Sequence, residues 1–255
     1  APAHAVAALQ AHRAVYDLTL DQASDRSGIT ALKGRMVYEF NGSPCDGYTV
    51  TFRSVTQIDT GENTRLTDQQ TTTYEEADGK TFSFVTKSFV DSSLDREVRG
   101  TAQSEPQGLA VELEKPETAK LDLARTQFPT QHLLEMIRKA NTGETFYETN
   151  LFDGSDGGDK VMTTTVIFGR KSDAKAGDPE LPVLSALGKD KYWPVDIAYF
   201  DETGEGGEEM PEYRVSFKLH ENGITRDLVM DYGDFSMTGK LVNLAVLPQS
   251  RDCKQ

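Results

Sequence analysis

Cys45 and Cys253 are the only thiols in the 255-residue chain, and neither lies in a Cys-x-x-Cys motif. A redox-active dithiol or a structural zinc would need ligands at short spacing, so both are disfavoured. A widely separated pair in an exported chain most often forms one disulfide, the alternative being two unpaired thiols. Both cysteines sit in polar, turn-like settings, Ser43-Pro44-Cys45-Asp46-Gly47 and Arg251-Asp252-Cys253-Lys254, which suit an inert core thiol poorly. Closing the loop would remove unfolded-chain entropy worth at most roughly 5 kcal/mol.

The other chemistry-bearing residues give weaker signals. His4, His12, His132 and His220 show no ligand spacing, and no G-x-S-x-G elbow offers an activated serine. His132 lies beside Leu133 and Leu134 in a helical stretch and reads as a hydrogen-bonded histidine on the helix surface. Asp153-Gly154-Ser155-Asp156-Gly157-Gly158-Asp159 spaces three carboxylates among glycines, but without the alternating ligands and closing glutamate of a calcium loop. It reads as an acidic turn. Phosphate loops of the GxGxxG and GxxxxGK[ST] types are missing, and Gly204-Glu205-Gly206-Gly207 is flanked by acid. With 41 acidic side chains, no particular carboxylate pair is informative for glycoside chemistry.

The elements that would position these residues are mostly strands. Tyr16, Leu18 and Leu20 alternate with Val15, Asp17 and Thr19. Met36–Phe40 and Tyr48–Arg53 read as a hairpin carrying Cys45 in its connection, and Thr71–Glu76 with Thr81–Val90 as a second around Asp78-Gly79. Arg96–Thr101, Gly108–Leu113 and Ala119–Ala124 follow, then Thr145–Phe152, Val161–Lys171, Tyr192–Phe200, Glu212–His220, Ile224–Asp231 and Asp234–Val246. Two helical stretches are expected: a short one over Ala3–His12, and an amphipathic one over Pro129–Ala140 ended by Asn141-Thr142-Gly143. Gly177–Gly188 and the acidic run Asp201–Glu209 read as surface excursions. About twelve strands with hairpin-length connections predict a mainly β fold: one domain over residues 1–255, built on a curved antiparallel sheet with a few packed helices.

Composition narrows the function classes. Lys and Arg total 27 against the 41 acids, giving a net charge of −14, which argues against nucleic-acid binding and anionic lipid surfaces. The longest apolar run, Ala5–Leu9, is far short of the roughly 20 residues of a membrane-spanning helix. The start at Ala1-Pro2-Ala3 without methionine predicts export after signal-peptide removal, an artificially chosen boundary being the alternative. The strand aromatics are expected to be mostly core. Phe82, Phe84, Phe146, Phe152, Trp193 and Phe200 are also the candidate lining of an apolar cavity inside the curved sheet.

Ser43-Pro44-Cys45-Asp46-Gly47-Tyr48, Phe128-Pro129-Thr130, Tyr147-Glu148, Leu151-Phe152-Asp153-Gly154-Ser155-Asp156 and Arg251-Asp252-Cys253 recur in one order over nearly the whole chain. On these stretches the chain resembles the EipB family of periplasmic cell-envelope integrity proteins from alphaproteobacteria. The resemblance implies a β-spiral, an open-barrel-like rolled sheet similar to periplasmic lipoprotein carriers, and a disulfide between Cys45 and Cys253. It also implies a non-enzymatic, periplasmic role in envelope integrity under stress, exercised with a periplasmic tetratricopeptide-repeat partner. No cofactor or metal comes with it, and a monomer is expected. The alternative function is a carrier that lodges a lipid or lipoprotein acyl chain in the cavity.

Overall fold

The structure, a computed structural model, describes residues 8–201, 210–249 and 253. Its fourteen strands form one antiparallel sheet. The first eight are β1 (His12–Ala23), β2 (Ala31–Ser43), β3 (Gly47–Asp59), β4 (Thr64–Glu75), β5 (Thr81–Val90), β6 (Ser93–Glu105), β7 (Gly108–Lys115) and β8 (Ala119–Leu123). Helix α1 (Pro129–Asn141) follows, then β9 (Phe146–Leu151) and β10 (Met162–Phe168). A short helix α2 (Leu181–Leu184) precedes β11 (Tyr192–Asp201), β12 (Tyr213–His220), β13 (Thr225–Asp231) and β14 (Phe235–Val246).

The strand order is β8-β7-β6-β5-β4-β3-β2-β1-β14-β13-β12-β11-β10-β9. Two meanders therefore run outward from a central seam, where β1 pairs with β14 from His12↔Val246 to Ala23↔Phe235. Antiparallel neighbours need only short turns, which is why local hairpin signals can specify nearly every pairing. The sheet stays open, because its edges β8 and β9 are not paired with each other. α1 connects those two edges and lies inside the roll that the sheet's twist creates.

The strands run longer and are more numerous than the sequence suggests. β2 and β3 pair over thirteen positions, from Ala31↔Asp59 to Ser43↔Gly47. The polar Thr64–Gln70 stretch joins β4 in the same way. Ladder hydrogen bonds come from the backbone, so a strand continues through polar residues wherever a neighbour remains to pair with. The expected helix at Ala3–His12 falls largely outside the described residues. Its described end is not helical, with Gln10 N donating to Asn222 O and Leu247 N to Ala11 O, and His12 opens β1.

Two buried clusters fill the roll. A small one within the curl of β5–β8 holds Phe82, Phe84, Val98, Ala102, Leu109, Val111 and Leu113, closed by Phe128 and Phe152. The larger one gathers residues from β1–β3, β9–β14, α1 and α2. α1 supplies Met136, Ile137 and Ala140 to it, as its amphipathic spacing predicts.

Candidate functional site

Cys45, in the β2–β3 turn, is disulfide-bonded to Cys253, with the two Cα atoms 5.5 Å apart. Ser43 Oγ accepts hydrogen bonds from the amides of Cys45 and Asp46, which shapes the turn that presents the thiol. The bond closes a loop across 208 positions of sequence and ties the carboxyl-terminal tail to the first hairpin.

The six candidate cavity residues do not line one cavity. Phe82, Phe84 and Phe152 are packed into the small cluster with Phe128, at ring separations from 5.1 Å (Phe82–Phe128) to 6.4 Å (Phe128–Phe152). Trp193 is buried in the other cluster, with Lys171 Nζ 4.5 Å from its ring. Phe200 is half-buried on the alternate face of β11, and Phe146, beside α1's exit, is 57% exposed. Residue type marked these side chains correctly as aromatic and strand-borne. It could not give their face, which depends on register.

A pocket of about 290 Å³ does exist, between α1 and the concave sheet. Pro129, His132, Leu133 and Met136 face it from the helix, the i, i+3, i+4, i+7 stripe that periodicity alone could have picked out. Tyr16, Met36, Tyr38, Ile197, Tyr199, Phe217 and Leu228 face it from the sheet, and Leu151, Asp153, Gly223 and Thr225 complete its lining. Tyr16 Oη donates to Thr225 O at 2.6 Å, fixing the wall between β1 and β13. Burial pushes Tyr38 up to about 12 and raises Tyr16 and Tyr199 further, so these hydroxyls stay protonated.

α1 is held in place by two buried polar contacts. Its first residues lack a side-chain cap of their own. Instead Glu75, the last residue of β4, accepts hydrogen bonds from Thr130 N at 2.9 Å and Gln131 N at 3.0 Å. The carboxylate thus answers the orphan amides and the positive end of the helix. Burial nevertheless raises its pKa to about 7, with those two donors working in the opposite direction. His132, expected on the helix surface, is buried, with Nε2 3.0 Å from Thr164 Oγ1 on β10. Thr164 already donates to Thr149 O, so the imidazole is the donor in this pair and the hydroxyl is no activated nucleophile. Burial lowers the His132 pKa to about 4.

The segment expected as a surface excursion at 177–188 contains the least anticipated feature. Arg226 on β13 is fully buried and donates through Nη1 to Asp178 (2.7 Å) and Glu180 (3.1 Å), and through Nε to His220 Nε2 (3.1 Å). Glu180 Oε2 also accepts Asp227 N and Leu241 N, at 3.1 and 2.7 Å. β13 and β14 pair only over Leu228–Asp231 and Gly239–Ser236, so this carboxylate bridges them where their ladder stops. A buried guanidinium needs such partners, which is why the segment is drawn in. Asp201, expected in a surface excursion, is likewise drawn in: it ends β11, is buried, and pairs with Lys160 at 2.7 Å. The rest of that acidic run, 202–209, lies outside the described residues.

The Asp153–Asp159 loop is a packing device. Gly154 and Gly158 have positive φ and lie so close to Phe84 that a Cβ would sit 2.7 and 3.0 Å from its ring. Among the described residues no group of three or more His, Cys, Asp and Glu is placed to hold a metal ion. Among the described residues no helix is long and apolar enough to cross a membrane.

An open, disulfide-closed roll of antiparallel strands wrapped around one helix, with a small apolar pocket beneath it, defines a mainly β spiral of the β-barrel-like kind. Residues 3–248 match the sequence model of the EipB-like family, and the chain belongs to that family. It is 56% identical over 236 residues to the cell envelope integrity protein EipB of Brucella abortus (strain 2308), covering 92% of this chain and 83% of that one. A crystal structure of a β-barrel-like domain of unknown function from Brucella abortus superposes with a TM-score of 0.91. That match is 55% identical and covers 94% of this chain and 99% of the other.

Proposed function

We propose that this protein is a non-enzymatic periplasmic factor that maintains cell-envelope integrity by binding a periplasmic tetratricopeptide-repeat protein, with Cys45 and Cys253 purely structural. The observation that carries this reading is the 56% identity over 92% of the chain to a protein named for envelope integrity. The described histidines fit it: His12, His132 and His220 are all buried and engaged, with Gln10 O, Thr164 Oγ1 and Arg226 Nε respectively. The test is deletion of the gene, complementation, and survival on detergent and chelator. The deletion strain is expected to lyse and the complemented strain to recover, with a tetratricopeptide-repeat protein cross-linked to the complementing copy. Unimpaired growth of the deletion strain would overturn the role, and a cross-linked set lacking such a protein would overturn the partner.

A second reading, a carrier of one lipid acyl chain, is favoured by the pocket under α1. Recovery of a lipid in the native mass spectrum of protein taken from the periplasm, lost on organic extraction, tests it.

A further inference from the structure

The pocket under α1 is small and has one acidic group in its lining. Its volume of about 290 Å³ is at the lower end of ligand pockets. At roughly 30 Å³ per water-sized group, which is close to the size of a methylene, it holds about ten such groups. One medium-length chain fits; a two- or three-chain lipid does not enter whole. Met36, Leu133, Met136, Ile197, Phe217 and Leu228 give the chain an apolar bed.

The polar lining groups divide sharply by charge. Tyr16, Tyr38, Tyr199 and His132 are uncharged at neutral pH, for the reasons of burial given above. No lysine or arginine lines the pocket among the described residues. Asp153 is the single carboxylate there. Its Oδ1 accepts Ser155 N at 2.9 Å, and it makes no ion pair among the described residues. An anionic head beside Asp153 would meet a carboxylate with no counter-cation, whereas a cation would gain a partner.

A stack of aromatic rings also runs from the pocket wall towards the surface. From Tyr199 in the pocket wall, rings step to Tyr213 at 5.3 Å, to Tyr232 at 5.0 Å and to Phe235 at 5.0 Å. Tyr232 is 44% exposed, so the stack presents an aromatic face to solvent.

We propose that this pocket binds a single-chain amphiphile of about ten carbons whose head is cationic or neutral, with Asp153 selecting against anionic heads. The inference rests on the carrier reading and narrows it to a ligand class. Isothermal titration of the full oxidised chain with decyltrimethylammonium, decyl maltoside and decanoate, each below its micelle concentration, tests it. Tetramethylammonium, the same cation without the chain, measures general attraction to a chain of net charge −14. The cationic decyl probe is expected to bind at least about tenfold tighter than decanoate and than tetramethylammonium, with the maltoside between. Asp153→Asn is expected to bring the decyl probes within about threefold of one another. Leu133→Trp, which fills the pocket, is expected to weaken every decyl probe about tenfold with the circular dichroism spectrum unchanged. Equal affinity for all three heads in the wild type overturns the head selection while leaving a carrier. No binding by any decyl probe overturns the selection and the carrier reading together. Binding unaffected by Leu133→Trp overturns the placement.

Discussion

The two aromatic interiors of this sheet are built from the same alternating strands and end differently. In the β5–β8 curl, four phenylalanines stack or meet edge to face and fill the space, and the glycines at 154 and 158 let the chain close onto Phe84. In the larger curl a helix occupies the middle, and its fit leaves a pocket bordered by tyrosines, a histidine and an aspartate. The small curl is a close-packed core in which every lost methylene is felt. The large curl is held open by polar pins at its periphery: Glu75 at the start of α1, His132 at its side, and Arg226 with its acids in the β13–β14 gap. Filling and pinning are two ways to stabilise a rolled sheet, and only the second leaves room for a ligand.

If that contrast holds, the largest loss comes from removing a pin. Arg226→Met leaves Asp178 and Glu180 buried without their guanidinium and is expected to cost about 3–5 kcal/mol in urea unfolding. Phe84→Ala opens a void in the filled curl and should cost about 3–4 kcal/mol by the same measurement. A cost under about 1 kcal/mol there would mean that this curl is as loosely packed as the other. Cys45→Ser should lower stability by about 2–4 kcal/mol, read as a fall in melting temperature that reductant reproduces in the wild type.

Acid sharpens the comparison because the titrating pins lie around the large curl. His132 and His220 are lowered to about 4, the first by burial and the second by burial and then by Arg226. Each is neutral in the native state while the unfolded chain takes up a proton below the ordinary histidine value. Stability is therefore complete above pH 6.5 and falls as the pH drops towards 4. Glu75, raised to about 7, acts in reverse and favours the native state as the pH falls from 7 to 4.5. His12, also lowered by burial, joins these two histidines against the one glutamate, so a net loss of stability is expected between pH 7 and 4. His132→Gln should flatten that slope in a series of urea titrations. The smallest effect belongs to the pocket: Leu133→Phe adds bulk where space exists and should change stability by less than about 1 kcal/mol, whereas Val111→Phe in the filled curl should cost more.

Strand identity and hairpin pairing were legible where the paired strands are near neighbours in sequence, whereas the central seam, which sets His12 against Val246, joins the two ends of the sheet's sequence and carries no local signal. The Ser43–Gly47 and Asp78-Gly79 turns and the period change at Pro129 each report on a few adjacent residues. Glu180 shows the opposite case. Nothing in Gly177-Asp178-Pro179-Glu180 signals that its carboxylate will meet the amides of Asp227 and Leu241, because that need arises only once β13 and β14 separate. The same holds for Glu75, whose partners lie 55 and 56 positions away on a helix brought to it by the roll.

Alternating side chains and turn residues thus determined by themselves that this protein is a sheet of hairpins with one amphipathic helix, since those signals act within a few residues. Its two cysteines and their settings marked the bond that closes it. Which aromatics fill a core, which acids are buried and where a pocket remains were decided only by the tertiary structure. Burial and cavity volume depend on how far the sheet curls and what it curls around, and those are set by contacts between segments far apart in the chain.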